Sequence, residues 1–212
     1  MPQLTNLLLQ NGIPEEAVAW LFVLPIAVTF VVAARQLVGI KGLGIAAPLL
    51  IAFAISSLGI QAGIMTFAVA LIISFGVRII LTKVRLLTLP KSGLIIVSAV
   101  LGLALIIPFL PYKENMDMSF AGFSFVVVVL SMEQFAALLL ERGPRRTFVA
   151  LVETSLIAIP ASFLIDSNYL KDFVFRYPVF IFLGLIILNL LFGKWTGLRV
   201  SELIRFKSII FK

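Results

Sequence analysis

Two carboxylates stand inside long apolar runs of this chain, Glu133 and Glu153. An ionisable group at such depth costs about 2.5–3.5 kcal/mol on insertion scales, so each must face protein or a wet cavity and find a partner. At about 1.5 Å per helical residue, both lie ~10–12 Å from the same membrane boundary, on consecutive helices. Gly122, Val129, Glu133 and Ala137 share one helical face, and Arg146, Ala150, Glu153 and Pro160 share another. The small residues beside each Glu permit close helix approach. Two chemistries fit: a proton relay or substrate-ammonium site, and an internal pairing with Arg35, Arg78 or Arg146.

A second candidate is Arg35–Pro48, where Gly39, Gly42 and Gly44 allow tight turns and Pro48 disfavours a regular helical start. With Arg35 and Lys41 it can bind a phosphate or carboxylate at the N-terminus of the next helix, or form a compact basic turn. It matches neither a P-loop nor a dinucleotide fingerprint. Asn189, and Thr29 with Gln36, suit hydrogen bonds between helices or the lining of a site, while Ser56 and Ser57 suit bonds back to helix carbonyls. The candidate binding set is therefore Arg35, Gln36, Lys41, Arg78, Glu133, Arg146, Glu153 and Asn189.

The chain has neither His nor Cys, which excludes Ser-His and Cys-His nucleophile pairs and zinc sites built on those ligands. Asp117, Asp166 and Asp172 fall in expected loops, away from any intramembrane Asp pair. No catalytic residue, metal or cofactor is expected. An intramembrane enzyme is the least favoured class.

The elements that position these residues are set by hydropathy. Of 212 residues, 61% are hydrophobic and 13% charged, and the mean hydropathy is +1.17. That leaves too little polar surface for a water-soluble domain. Seven apolar runs, each roughly 17–22 residues, are about long enough to cross a bilayer as helices. Helices are the form that satisfies the backbone in hydrocarbon, and the alternation of a membrane β-barrel is missing. The sequence predicts spans at about 17–34, 43–58, 64–81, 93–110, 119–140, 148–165 and 178–192, forming one seven-helix domain over 1–212. A basic amphipathic helix on the membrane surface is expected over 195–212.

Fourteen of the 17 Lys and Arg residues fall in alternate gaps between these runs or, for Arg78, just inside the run that leads into one. The positive-inside rule then predicts an all-α integral membrane protein with its N-terminus outside and its C-terminus cytoplasmic. Merging or splitting any span would scramble this segregation. Tyr112, Tyr169, Tyr177, Trp195 and Trp20 lie at or near span ends, where such rings prefer the interface. The net charge of +7 is read as topology and contact with anionic lipid at the cytoplasmic face, with no nucleic-acid role.

Ala34-Arg35-Gln36, Gly39-Ile40-Lys41-Gly42-Leu43-Gly44 and Pro48 resemble the opening of a bacterial seven-helix membrane domain that is fused to an inactive transglutaminase-like domain. Agreement continues at Glu133, Glu153-Thr154 and Arg176-Tyr177-Pro178, then at Asn189 and Gly193–Glu202 with Arg205-Phe206. The resemblance covers about 24–206. It implies a transglutaminase-like domain outside the cytoplasmic membrane and ahead of the helices, so this chain is either a standalone version or an excerpt. It also implies an association with ATP-grasp peptide ligases and a similarity to membrane subunits of poly-γ-glutamate synthesis. A non-catalytic subunit or scaffold of a peptide-ligating or envelope system follows as the expected function. The alternative is a proton-coupled transporter or exporter of a small anionic or peptide-like substrate, using Glu133 and Glu153. An oligomer is compatible with either.

Overall fold

The computed structural model describes residues 14–40, 42–82, 84, 88–111 and 118–194. Lys41, Tyr112, Trp195 and the expected amphipathic tail over 195–212 lie outside the described residues. Every regular element described is helical. In chain order these are α1 (Glu15–Ala33), continued by a π-helical turn (Ala34–Val38), α2 (Ala46–Leu58), α3 (Ile60–Thr82) and α4 (Thr88–Ile106), which ends in a short 3-10 turn (Ile107–Phe109). Met118–Asp166 is one helical run broken at Gly143, whose φ of 77° and ψ of 168° form a conformation essentially reserved for glycine. Its arm before Gly143 is α5 and its arm after is α6. Then come α7 (Asn168–Arg176) and α8 (Pro178–Gly193).

Five segments are long and apolar enough to cross a membrane: Ala17–Val38, Ile60–Leu81, Pro90–Phe109, Ala121–Leu139 and Arg145–Asp166. The other two expected spans are shorter. The run expected over 43–58 is helical only from Ala46, because Gly42 and Gly44 hold positive φ (38° and 57°), which no right-handed helix accommodates. The resulting 13-residue helix is about 20 Å long against a hydrocarbon core of about 30 Å. The stretch expected as a loop after Asp166 is instead the amphipathic α7, which meets α8 at a bend of 104°.

The chain divides into two compact units, one of 1–41 with 163–212 and one of 42–162. In the first, α7 and α8 pack on α1. Val18, Phe22 and Val174 are buried, with Ile26, Phe175, Ile181 and Phe182 against them. Phe22 meets Phe175 at 6.0 Å and Phe182 edge-on at 5.5 Å between ring centroids, within the range where aromatic pairs attract.

In the second unit, α2 is buried around most of its circumference. The α2–α3 turn is made at Gly59, and Gly63 lies so close to α2 that a Cβ there would sit 2.5 Å from Ile55 Cα. Leu81, Ile95 and Val77 join α3 to α4. Phe67 and Phe135 join α3 to α5 edge-on at 6.4 Å. The hydroxyls of Ser57 and Ser124 hydrogen-bond to each other, joining α2 to α5.

Candidate functional site

The second unit holds four of the candidate residues, Arg78, Glu133, Arg146 and Glu153. Because α2 begins late, the amides of residues 42 and 43 have no helical carbonyl to reach. In hydrocarbon each such amide needs a partner from the protein. Residues of α6 supply both. The Gly42 N–H donates to Glu153 Oε2 at 2.6 Å, and the Leu43 N–H donates to Thr154 Oγ1 at 3.0 Å. The Thr154 hydroxyl in turn donates to the Ala150 carbonyl at 2.7 Å, so its proton and one lone pair are both used. Gly42 fits because of its positive φ and because even a methyl group there would stand 3.2 Å from Thr154 Oγ1.

The turn at the entry to the second apolar helix, expected either to bind a phosphate or carboxylate or to be a compact basic turn, has a carboxylate of the chain itself on its Gly42 amide. Of the two neighbouring amides of the Gly-rich turn, Glu153 accepts that of Gly42 and Thr154 that of Leu43. Thr154 was visible in the sequence only as a neighbour of Glu153. Its role emerges from the topology that sets α6 beside residues 42 and 43.

Glu133, half-buried on α5, is the carboxylate that acts electrostatically on Arg78. The Arg78 side chain is 3% exposed, and its Nε has no hydrogen-bond partner. Arg146 is exposed, which sets it apart from the buried Arg78 as a partner for an intramembrane carboxylate.

Two further residues of α3, Thr66 and Ser74, are 0% exposed, and each buries a hydroxyl without a hydrogen-bond partner. Sequence reasoning passed over both. The signal was their spacing on the face of Arg78, with Ser74 four residues before it and Thr66 eight before Ser74.

In the first unit, Asn189 and Thr29 are brought together. Asn189 Nδ2 donates to Thr29 Oγ1 at 2.7 Å and to the Leu185 carbonyl at 2.8 Å, and Thr29 donates to the Pro25 carbonyl at 2.8 Å. This polar link ties α8 to α1 and forms part of a groove of about 740 Å³ whose other walls include Leu24, Val28, Phe182 and Ile186. Arg35 lies in the π-helical turn with Nη1 buried and unpartnered, and Gln36 beside it is half-buried. Among the described residues no cluster of His, Cys, Asp and Glu could hold a metal ion.

No curated protein and no solved structure matches the chain significantly. A family model does match, over residues 5–210, and its description is seven transmembrane helices usually fused to an inactive transglutaminase. Five helices long and apolar enough to cross a membrane, with shorter apolar helices beside them, are consistent with that description, and the chain belongs to this membrane family.

Proposed function

We propose that this chain is a non-catalytic membrane subunit that holds an external transglutaminase-like domain and docks a cytoplasmic peptide ligase of the ATP-grasp type. The observation that carries the reading is the engagement of Glu153 by the Gly42 amide. An intramembrane carboxylate used as a backbone acceptor has a structural task, and Glu133 has a buried guanidinium for its counter-charge. Neither arrangement needs a moving proton. The missing His and Cys point the same way, as does the family's usual fusion to an inactive enzyme domain.

In this reading the N-terminus lies outside and the C-terminus in the cytoplasm of a bacterial inner membrane. The basic gaps face anionic lipid and the ligase. Affinity purification after cross-linking in native membranes tests it. A transglutaminase-like protein or an ATP-grasp ligase should be retained in near-stoichiometric amount. Recovery of the chain with neither would contradict the proposal.

One observation favours the transport reading: α2 is an apolar helix of only 13 residues that follows a non-helical Gly-rich turn, as in transporters with discontinuous helices. In that case Glu133 and Glu153 couple protons, and Arg35 with Lys41 attracts an anionic or peptide-like substrate. Unchanged flux and pH dependence in both Glu133→Gln and Glu153→Gln would end it.

A further inference from the structure

Among the described residues of the first unit, every Asp and Glu stands at the start of α1 or in and just before α7. Because Val174 of α7 packs on Val18 and Phe22, that is the same end of the unit in both cases. Arg35 lies at the other end, about 30 Å along the helix from Glu15. It is half-buried, and its Nη1 is buried without a hydrogen-bond partner. Lys194, exposed at the C-terminus of α8, is the second cation of this end. A charge in or beside an apolar run calls for a counter-charge, and the acids of this unit are out of reach.

The helices α1 and α8 run parallel, since Phe22 meets Phe182 and Thr29 meets Asn189 at the same offset of 160 residues. That register sets Arg35 level with Lys194 to within one residue. Between the two helices runs the groove of about 740 Å³, inside the roughly 300–1,000 Å³ of small-ligand sites. Leu24, Val28, Phe182, Leu185 and Ile186 line it, and Leu24 and Ile186 are exposed. The Thr29–Asn189 link keeps its hydroxyl and amide protons inside the protein, so it demands nothing of an apolar occupant. Eleven residues make about three helical turns, which brings Arg35 into line with Leu24. From Leu24 to Arg35 is about 16 Å, close to one leaflet's half of the ~30 Å hydrocarbon core.

We propose that this groove binds an anionic phospholipid, with one acyl chain between α1 and α8 and the phosphate held by Arg35 and Lys194. The α1 wall belongs to a segment long and apolar enough to cross the membrane, where acyl chains are the surrounding medium. A guanidinium receives phosphate through paired N–H donors, and the Lys ammonium adds a point charge. Two cations without a nearby acid favour a lipid of net negative charge over a zwitterionic one. A second copy of the chain suits the groove less well, because a two-fold axis normal to the membrane would bring both basic ends to one level. The proposal is separate from the docking of protein partners, whose loss would leave the groove and its charges in place.

The test places the full chain in phosphatidylcholine vesicles with a minor fraction of phosphatidylglycerol that carries a photoreactive group in one acyl chain. Peptide mass spectrometry after illumination locates the label. Leu24, Val28 and Ile186 should be labelled several-fold above Ile72 and Leu105, which are more exposed apolar positions off the groove. In the double variant Arg35→Gln with Lys194→Gln this excess should fall at least about fivefold, the factor that one basic residue contributes near an anionic headgroup. Label at Ile72 and Leu105 should not change, and Arg35→Lys should keep most of the excess. Photoreactive phosphatidylcholine should label the groove no more than the reference positions. Groove label at or below the reference level, as a second copy covering it would give, overturns the proposal. So does an excess that ignores the double substitution or is equal for the two lipids. Should the double variant fail to fold, the two lipids compared on the unaltered chain still decide.

Discussion

At the scale of single residues, this protein handles intramembrane charge by local pairing. Glu153 accepts an amide that its own helix cannot supply, and this charge-assisted bond contributes about 1.5–3 kcal/mol. Glu153→Ala should therefore lower the melting temperature in detergent clearly. Glu153→Gln, which keeps an acceptor oxygen but loses the charge, should fall between it and the parent. Thr154→Val should cost about 1 kcal/mol by stranding the Leu43 amide. For Arg78 and Glu133, removing one charge leaves the other uncompensated at depth. Arg78→Met and Glu133→Gln should each destabilise, and the double variant should be more stable than the sum of the two predicts, with a coupling of about 0.5–3 kcal/mol in a double-mutant cycle. The chemistry-bearing residues themselves were legible in the sequence, because an apolar run makes every Glu and Arg conspicuous. Their partners were less so: Arg78 stood among three possible cations, and the partner of Glu153 was a backbone amide, which no side-chain pattern announces.

At the scale of elements, glycine placement sets where helices stop and how closely they pass. Gly63 and Gly76 lie on the same helix, α3, and separate the two effects. A Cβ at Gly63 would collide with the Ile55 backbone, whereas one at Gly76 meets nothing within 4 Å. Gly63→Ala should destabilise by about 1–3 kcal/mol through overpacking, while Gly76→Ala should be neutral or stabilising by up to about 1 kcal/mol. Thermal melts of the two variants side by side check this. Five of the segments expected from hydropathy are helices long and apolar enough to cross a membrane, and hydropathy did not foresee how short α2 and α8 are. The late start of α2 depends on positive φ at Gly42 and Gly44, which becomes tolerable only once α6 supplies acceptors. The α7 helix was hidden because Lys171, Asp172 and Arg176 read as a loop. Its signal was the i, i+4 pair Leu170 and Val174, of which Val174 is buried against Val18 and Phe22.

At the scale of the whole molecule, the chain is a membrane domain whose polar interior is concentrated in a few links between helices. The proposed orientation follows from charge segregation, which no contact inside the protein reports. A reporter fused after Lys212 should fluoresce as a green fluorescent protein and be inactive as alkaline phosphatase, and the opposite pattern would invert the proposed topology. The scaffold reading stands on Glu153 as the fixed acceptor of the amide that precedes α2. That bond is best followed at the Gly42 amide proton, observed by NMR in protein labelled with nitrogen-15 only at its 14 glycines. A charge-assisted bond at 2.6 Å predicts a Gly42 resonance shifted well downfield and slow to exchange, with both properties lost in Glu153→Ala. A Gly42 amide that exchanges freely, or that is indifferent to Glu153→Ala, would be incompatible with this acceptor role.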